Sequence, residues 1–450
     1  LRTDLQTLGR PDGGVPPFLI RDGSGTLKHD WLPRTSNHPN QSIPFEILPP
    51  AEMPFVINPT QGYIANCNND PVGVTLDNNA LNQLRPGGGI YYLENGYSAF
   101  RQGRIDRLLA DRIRAGNTIT VDFIKQTQAN NQPLDAEKLT PFLLQAAANG
   151  NAANAWPELR AVATDARVAA AIARLQAWDY TTPTGIPEGY DAGDNPASLP
   201  QPSQTEIRNS TAATVFAVWR SFAIRAVVDG TLTRIGLSSQ TPGSEESVRA
   251  LLNLLEKYPT ARGVGASGVN FFQVTGAPSA EAARDVILLR ALRDALTALA
   301  SNDFAPAYAN STNIDDYRWG RLHRIVFDHP LGGPFNLPGA NPYGFSNLSA
   351  QLPGVARPGG YETLDVAGHS TKANTVNGFM FGSGPARRFV GTLTDSIAAE
   401  NIHPGGQSGV LGSQTYASQL GRWLTNRYKT LIINRDQALQ AERERLEFRP

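Results

Sequence analysis

The string Asn66-Cys67-Asn68-Asn69-Asp70 follows directly on a short extended candidate, Gly62–Ala65, so at least one amide side chain should emerge at a strand end. An amide in that position can donate N–H to the oxyanion that develops when a carbonyl is attacked. The same residue types also build turns in which Asn and Asp side chains satisfy their own backbone. The local sequence leaves both readings open. Cys67 would need a neighbouring base to act as a nucleophile, and no histidine lies near it in sequence, so a small buried apolar residue is the better reading.

Other chemistry-bearing patterns are missing. The six histidines, His29, His38, His323, His329, His369 and His403, show neither HExxH nor HxxxH spacing, so the zinc-hydrolase patterns are absent. The glycine-rich run Arg85-Pro86-Gly87-Gly88-Gly89 lacks the Lys-Ser/Thr that a phosphate loop needs, and neither GxSxG nor SxxK occurs. Short motifs by themselves stop at a large mixed α/β globular chain.

The elements that must position these residues come in three textures. Residues 1–110 are crowded with turn-formers such as Pro11-Asp12-Gly13-Gly14 and Asn68-Asn69-Asp70-Pro71, which keep helices short. Strand candidates lie between them: Phe18–Ile20, Phe55–Ile57 and Gly62–Ala65. Residues 111–328 read as mostly helical. The amphipathic spacing opens just before them, with Ile105, Leu108, Leu109 and Ile113 at three- and four-residue steps. Thr118 or Thr120 is placed to cap a helix through Val121 and Ile124; further helical stretches are Pro141–Ala148, Pro157–Ala177, Gln204–Val228, Ser244–Tyr258 and Ser279–Ala300. Residues 329–450 return to the first texture, with strand candidates Phe379–Phe381 and Arg388–Leu393. A closing helix is expected over Gln414–Thr430, and the charged tail after Arg435 reads as a solvated helix. This order suits a sheet-based body interrupted by a helical insertion, its two strand-rich ends pairing in space.

Composition narrows the function. Forty Lys and Arg balance 40 Asp and Glu, a formal net charge of +0, so no overall basic field exists to hold a nucleic acid or an anionic membrane. The single cysteine allows no intrachain disulfide, and no Cys/His cluster points to structural zinc. No run of ~18–20 consecutive apolar residues offers a membrane span. The chain opens at Leu1 without a basic-then-apolar leader, which reads as a processed or truncated piece.

Longer strings carry more than these motifs. Pro44-Phe45-Glu46 and then Asn58-Pro59-Thr60-Gln61-Gly62-Tyr63-Ile64-Ala65-Asn66-Cys67-Asn68-Asn69-Asp70-Pro71 resemble the NP-x-x-G-[YF]-[IV]-x-x-x-NN segment in the β subunit of the penicillin acylase (penicillin amidase) family. Further landmarks of the same family are similar to Gly96–Leu109 with its Arg-x-x-x-Ile-Asp-Arg-Leu-Leu, to Tyr317–His323, to Gly382–Arg388, and to Pro404–Gly409 followed by Tyr416 and Trp423.

The resemblance implies an N-terminal-nucleophile hydrolase with a four-layer αββα core. A precursor of that family cuts itself into α and β subunits, and the freed first residue of β attacks an amide carbonyl with its own α-amino group as base, an amine of ordinary pKa ~7.7–8.0. By the same resemblance Asn68 is the oxyanion donor and Arg101 the arginine near the nucleophile. No Ser-led start occurs in this chain, so it is expected to be the C-terminal part of β, with the nucleophile on a partner chain. The α subunit and the N-terminal β fragment are the implied partners, an N-acyl small molecule the substrate, and the periplasm or the exterior the location. No cofactor is expected in the chemistry; a structural calcium is implied, with Asp77 as ligand and Asp70 as second choice, carboxylate oxygen being the right donor type. The other reading is a binding or assembly module that keeps the scaffold without catalysis.

Overall fold

A computed structural model describes residues 49–73, 83, 84, 86, 91, 99–265, 267–338, 352–394, 398–442 and 448. The chain divides into two units, Leu1–Asp106 and Arg107–Pro450, with the boundary inside the first long helix, α1 (Phe100–Arg114).

In the first unit the described segment 49–73 is irregular. The expected strands Phe55–Ile57 and Gly62–Ala65 do not form: neither joins a ladder among the described residues, and Phe55, Ile57 and Ile64 are largely exposed. An extended segment without a partner strand leaves its backbone groups to water, so nothing holds it in β geometry. Phe18–Ile20 lies outside the described residues.

The second unit is helix-rich. Thr120 caps α2 (Val121–Gln128), its hydroxyl accepting from Phe123 N at 3.1 Å. Next come α3 (Leu134–Asn151), α4 (Pro157–Ala163) and α5 (Ala166–Gln176). Expected to begin at Pro141, α3 in fact starts at Leu134 and carries Pro141 inside it. A proline there forfeits a backbone hydrogen bond at a cost of about 3 kcal/mol. Complete burial of Ala136, Leu139 and Leu143 on the same helix offsets it.

At the centre lies α6 (Gln204–Ile224), opened by a capping box in which Glu206 N donates to Ser203 Oγ at 3.2 Å and Ser203 N to Glu206 Oε2 at 2.6 Å. It passes through a π-helical turn, Arg225–Asp229, into α7 (Gly230–Arg234). The run Gln204–Arg234 is long enough for a membrane span and contains an 18-residue window of mean hydropathy 1.3; 83% of that window is buried inside the protein, as in a core helix. Helices α8 (Ser244–Glu256), α9 (Tyr258–Ala261), α10 (Ala280–Leu299) and α11 (Ala305–Tyr308) follow. Ser279 caps α10, accepting from Ala282 N at 3.1 Å. Helix α10 packs against α3, α4, α5 and α6, and Trp219 Nε1 on α6 donates to Leu288 O on α10 at 3.1 Å.

Two small antiparallel sheets complete the described residues. One pairs β1 (Arg324–Ile325) with β2 (Val355–Ala356); the other has the order β3 (Arg388–Gly391), β4 (Ala399–Ile402), β5 (Lys429–Leu431). The candidate Arg388–Leu393 becomes β3, whereas Phe379–Phe381 runs through a 3₁₀ turn, Val376–Phe379. The closing helix contracts to α12 (Leu420–Leu424), because Asn426 at φ +53° turns the chain left-handed and sends it into β5. Its apolar spacing still reports burial correctly: Tyr416, Leu420, Trp423 and Leu424 share one core cluster with Ile325, Phe381 and Ile402. The tail forms α13 (Arg435–Ala441), exposed along its length.

Candidate functional site

The amide-rich string separates into two kinds of residue. Asn66, Asn69 and Asp70 are turn-formers: Asn68 N donates to Asn66 Oδ1 at 2.9 Å, Cys67 N to Asn69 Oδ1 at 3.1 Å, and Val72 N to Asp70 Oδ1 at 2.9 Å. These bonds coil the backbone tightly enough to place Asn68 at φ +56°, which Asn tolerates better than other residues with a Cβ. Asn68 is therefore held by its neighbours, and its own side chain is spared from the turn.

That side chain meets Arg101. Both terminal guanidinium nitrogens of Arg101, near the start of α1, donate to Asn68 Oδ1 at 3.4 Å. A guanidinium carries donors only, so it selects the amide rotamer in which oxygen faces Arg101 and the two Nδ2 hydrogens face away. The structure thus brings together the two residues singled out from the sequence, and leaves an exposed amide with its donor end outward.

A second contact ties the same two strings together and was not anticipated. The Tyr63 hydroxyl donates to the Asp106 carboxylate, and this hydrogen bond, with partial burial and the negative charge, pushes the phenol up to about 12. The signal was present: Tyr63 sits inside the Asn-Pro string, and Asp106 inside the Arg-x-x-x-Ile-Asp string. Cys67 is half-buried and forms no disulfide. Asp77, the expected calcium ligand, lies outside the described residues. Among the described residues no three His, Cys, Asp or Glu side chains gather as a metal site, and the Asp70 carboxylate serves the turn at Val72.

The remaining landmarks form the interior of the second unit. Trp319 is buried, donates Nε1–H to Gly359 O at 2.7 Å, and stacks on His323 at 5.0 Å, with His369 edge-on at 5.4 Å. His323 is enclosed between Arg357 O (2.8 Å) and Ala367 O (3.1 Å), and burial pushes its imidazole down to about 4. Trp423 is clasped by Arg357 and Arg388, whose guanidinium carbons lie 5.1 and 4.6 Å from its ring centre, and its Nε1 donates to Pro385 O at 3.1 Å. In the Pro404–Gly409 string, Gly405 adopts φ +82°, and a Cβ on Gly406 would overlap Thr415 O, so only glycine fits that approach.

No curated protein sequence matches the chain. Among solved structures, the thermostable penicillin G acylase from Alcaligenes faecalis is similar at 16% sequence identity and a TM-score of 0.48, over 88% of this chain and 59% of that one. The present chain thus spans well under two thirds of that relative's length. The family model described as penicillin amidase matches residues 7–440, nearly the whole sequence, and the chain belongs to the penicillin amidase family.

Proposed function

We propose that this chain is a subunit of an acylase that hydrolyses the linear amide of N-acyl compounds, of the β-lactam, acyl-homoserine lactone or lipopeptide type. The observation that carries the proposal is the pairing of Asn68 with Arg101, which turns an amide donor outward. Amide hydrolysis concentrates negative charge on the carbonyl oxygen as the nucleophile adds. A fixed N–H donor aimed at that oxygen lowers the barrier without reorganising during the reaction.

In this reading Asn68 Nδ2–H donates to the oxyanion, and Arg101 is a positioning residue that holds the amide and adds positive potential. The nucleophile is the first residue of a companion polypeptide from the same precursor, with its own α-amino group taking the proton. The companion segments also complete a four-layer αββα core. A structural calcium on Asp77 and export to the periplasm or the exterior belong to the same proposal and rest on family membership alone.

The test is intact-mass analysis and N-terminal sequencing of every polypeptide that copurifies with the chain, followed by turnover of a panel of N-acyl substrates. A companion beginning with Ser, Thr or Cys, together with turnover, is the expected result. A companion without such a residue and no release of acyl product would refute the enzyme reading and leave a binding module.

A further inference from the structure

Positive charge accumulates around the segment from α12 to β5. An open groove of about 580 Å³ there is lined by Lys125 of α2, Arg422 of α12, Asn426 and Arg427 of the connecting turn, and Lys429 of β5, with Glu400 of β4 as the one carboxylate on its wall. Glu400 is committed to Lys125 at 2.6 Å, and the exposed Asp122 approaches the same lysine at 3.7 Å. Among the described residues no carboxylate forms an ion pair with Arg422, Arg427 or Lys429.

Arg427 is the informative member. Its Nε and one terminal nitrogen donate to Asp194 O and Gly193 O, both at 2.7 Å. These are carbonyl oxygens, so the guanidinium is fixed in place; the Asp194 carboxylate, which accepts from Asp191 N at 2.9 Å, acts on it at longer range without forming an ion pair. A long cation kept only for solubility is ordinarily free to rotate in water, and anchoring it costs side-chain entropy. Behind the groove the same sign is repeated. Arg357 donates to Asn426 Oδ1 at 3.2 Å and Arg388 to Trp423 O at 2.8 Å, with Asp365 3.7 Å from Arg357. Burial, and then the neighbouring Arg357, push Arg388 down to about 9, with Asp365 opposing the shift.

We propose that this groove binds a phosphate-bearing anion, with Arg422, Arg427 and Lys429 as its charged contacts and Lys125 held at its side by Glu400. The groove presents three cations that form no ion pair among the described residues, which favours a multiply charged phosphate over a single carboxylate, and guanidinium forks match phosphate oxygens in geometry. The site is independent of the hydrolytic reading above and makes no use of Asn68.

The experiment is titration of the purified full assembly with pyrophosphate by calorimetry, at about 50 and about 200 mM salt, where screening of exposed charges differs strongly. Saturable binding is expected, weakened at least about tenfold by Arg422→Gln/Lys429→Gln and weakened in the native protein by the higher salt. Both side chains are at the surface, so the pair should melt like the native protein; if it does not, each single substitution should still weaken binding. Absence of saturable binding at the lower salt, or equal affinity in native and substituted proteins, overturns the proposal. Cosedimentation with phosphatidylcholine vesicles containing phosphatidylglycerol then names the source. Pelleting competed by pyrophosphate identifies a lipid headgroup, and no pelleting identifies a soluble phosphate ester.

Discussion

Replacing Asn68 removes the group on which the proposed chemistry turns, and the structure sets how its loss should differ from that of Arg101. Loss of one oxyanion donor costs about 10²–10³ in kcat, roughly 2.7–4 kcal/mol. Asn68→Gly is the cleaner substitution, because glycine keeps the φ +56° backbone with little strain. Arg101 acts at longer range. Its guanidinium nitrogens are 3.4 Å from Asn68 Oδ1. An oxyanion on the far side of the amide then lies about 7 Å away, where a unit charge is worth roughly 0.6–2.4 kcal/mol for effective dielectrics of about 80 to 20. Since Asn68 is exposed, the lower half of that range applies. Arg101→Ala should therefore slow kcat about fivefold through the lost charge, about 1 kcal/mol, and further through the lost hold on the amide. The charge acts on the oxyanion without Asn68 whereas the hold does not, so Arg101→Ala should cost about fivefold in the Asn68→Gly background, less than in the native protein. The assay is steady-state release of a chromogenic amine from an N-acyl anilide by the full assembly, with kcat and KM separated. Unchanged kcat in Asn68→Gly would refute the oxyanion assignment. Additive losses in the double substitution would refute the positioning role of Arg101.

Three further outcomes follow from burial. Asp135 and Arg220 form a buried pair at 2.5 Å, in which desolvation raises the carboxyl pKa more than Arg220 lowers it. Asp135→Ala should cost about 3–5 kcal/mol, and Asp135→Leu/Arg220→Met should recover most of that in urea midpoints, because an unpaired buried charge costs more than an apolar replacement. His323 has an ordinary value of 6.5 and a folded value of about 4, so the unfolded chain takes up its proton first as pH falls. It contributes full stability above about 6.5 and loses about 3 kcal/mol between about 6.5 and 4. Asp191 and Asp365, raised to about 6 by burial, act in the opposite sense over much of that window. The His323 Cε1 proton resonance should not titrate between pH 8 and 5.5; a midpoint near 6.5 would contradict its burial. Finally, Gly406→Ala drives a methyl into Thr415 O and should lower stability by about 1–3 kcal/mol or more, read from the unfolding midpoint, whereas Gly409→Ala, which meets no atom, should be near neutral.

Local signals were legible where they depend on neighbours in sequence. Of the two candidate caps Thr118 and Thr120 the structure uses Thr120, and the helical stretch expected over Ser279–Ala300 forms as α10, since an amphipathic helix needs only an apolar face and satisfied ends. Strands were less legible. Phe55–Ile57 has the composition of a strand but no ladder among the described residues, while Lys429–Leu431, at the end of an expected helix, pairs with β4. A strand exists only where another segment supplies its hydrogen bonds, and that is a property of two stretches of sequence at once.

The candidate site divides in the same way. By itself the sequence determined that Asn66–Asp70 offers either a turn or an emerging amide, that an amphipathic helix carries Ile105–Ile113, and, through long strings, which family the chain belongs to. Tertiary structure decided which asparagine escapes the turn and faces a guanidinium, that Tyr63 meets Asp106, and that Arg357 and Arg388 converge on one indole. It also decided the sign of the groove beside β5, because a balanced charge total says nothing about where charges gather. Composition and periodicity act along the chain, whereas hydrogen-bond partners and local potential are fixed by residues that only folding makes neighbours.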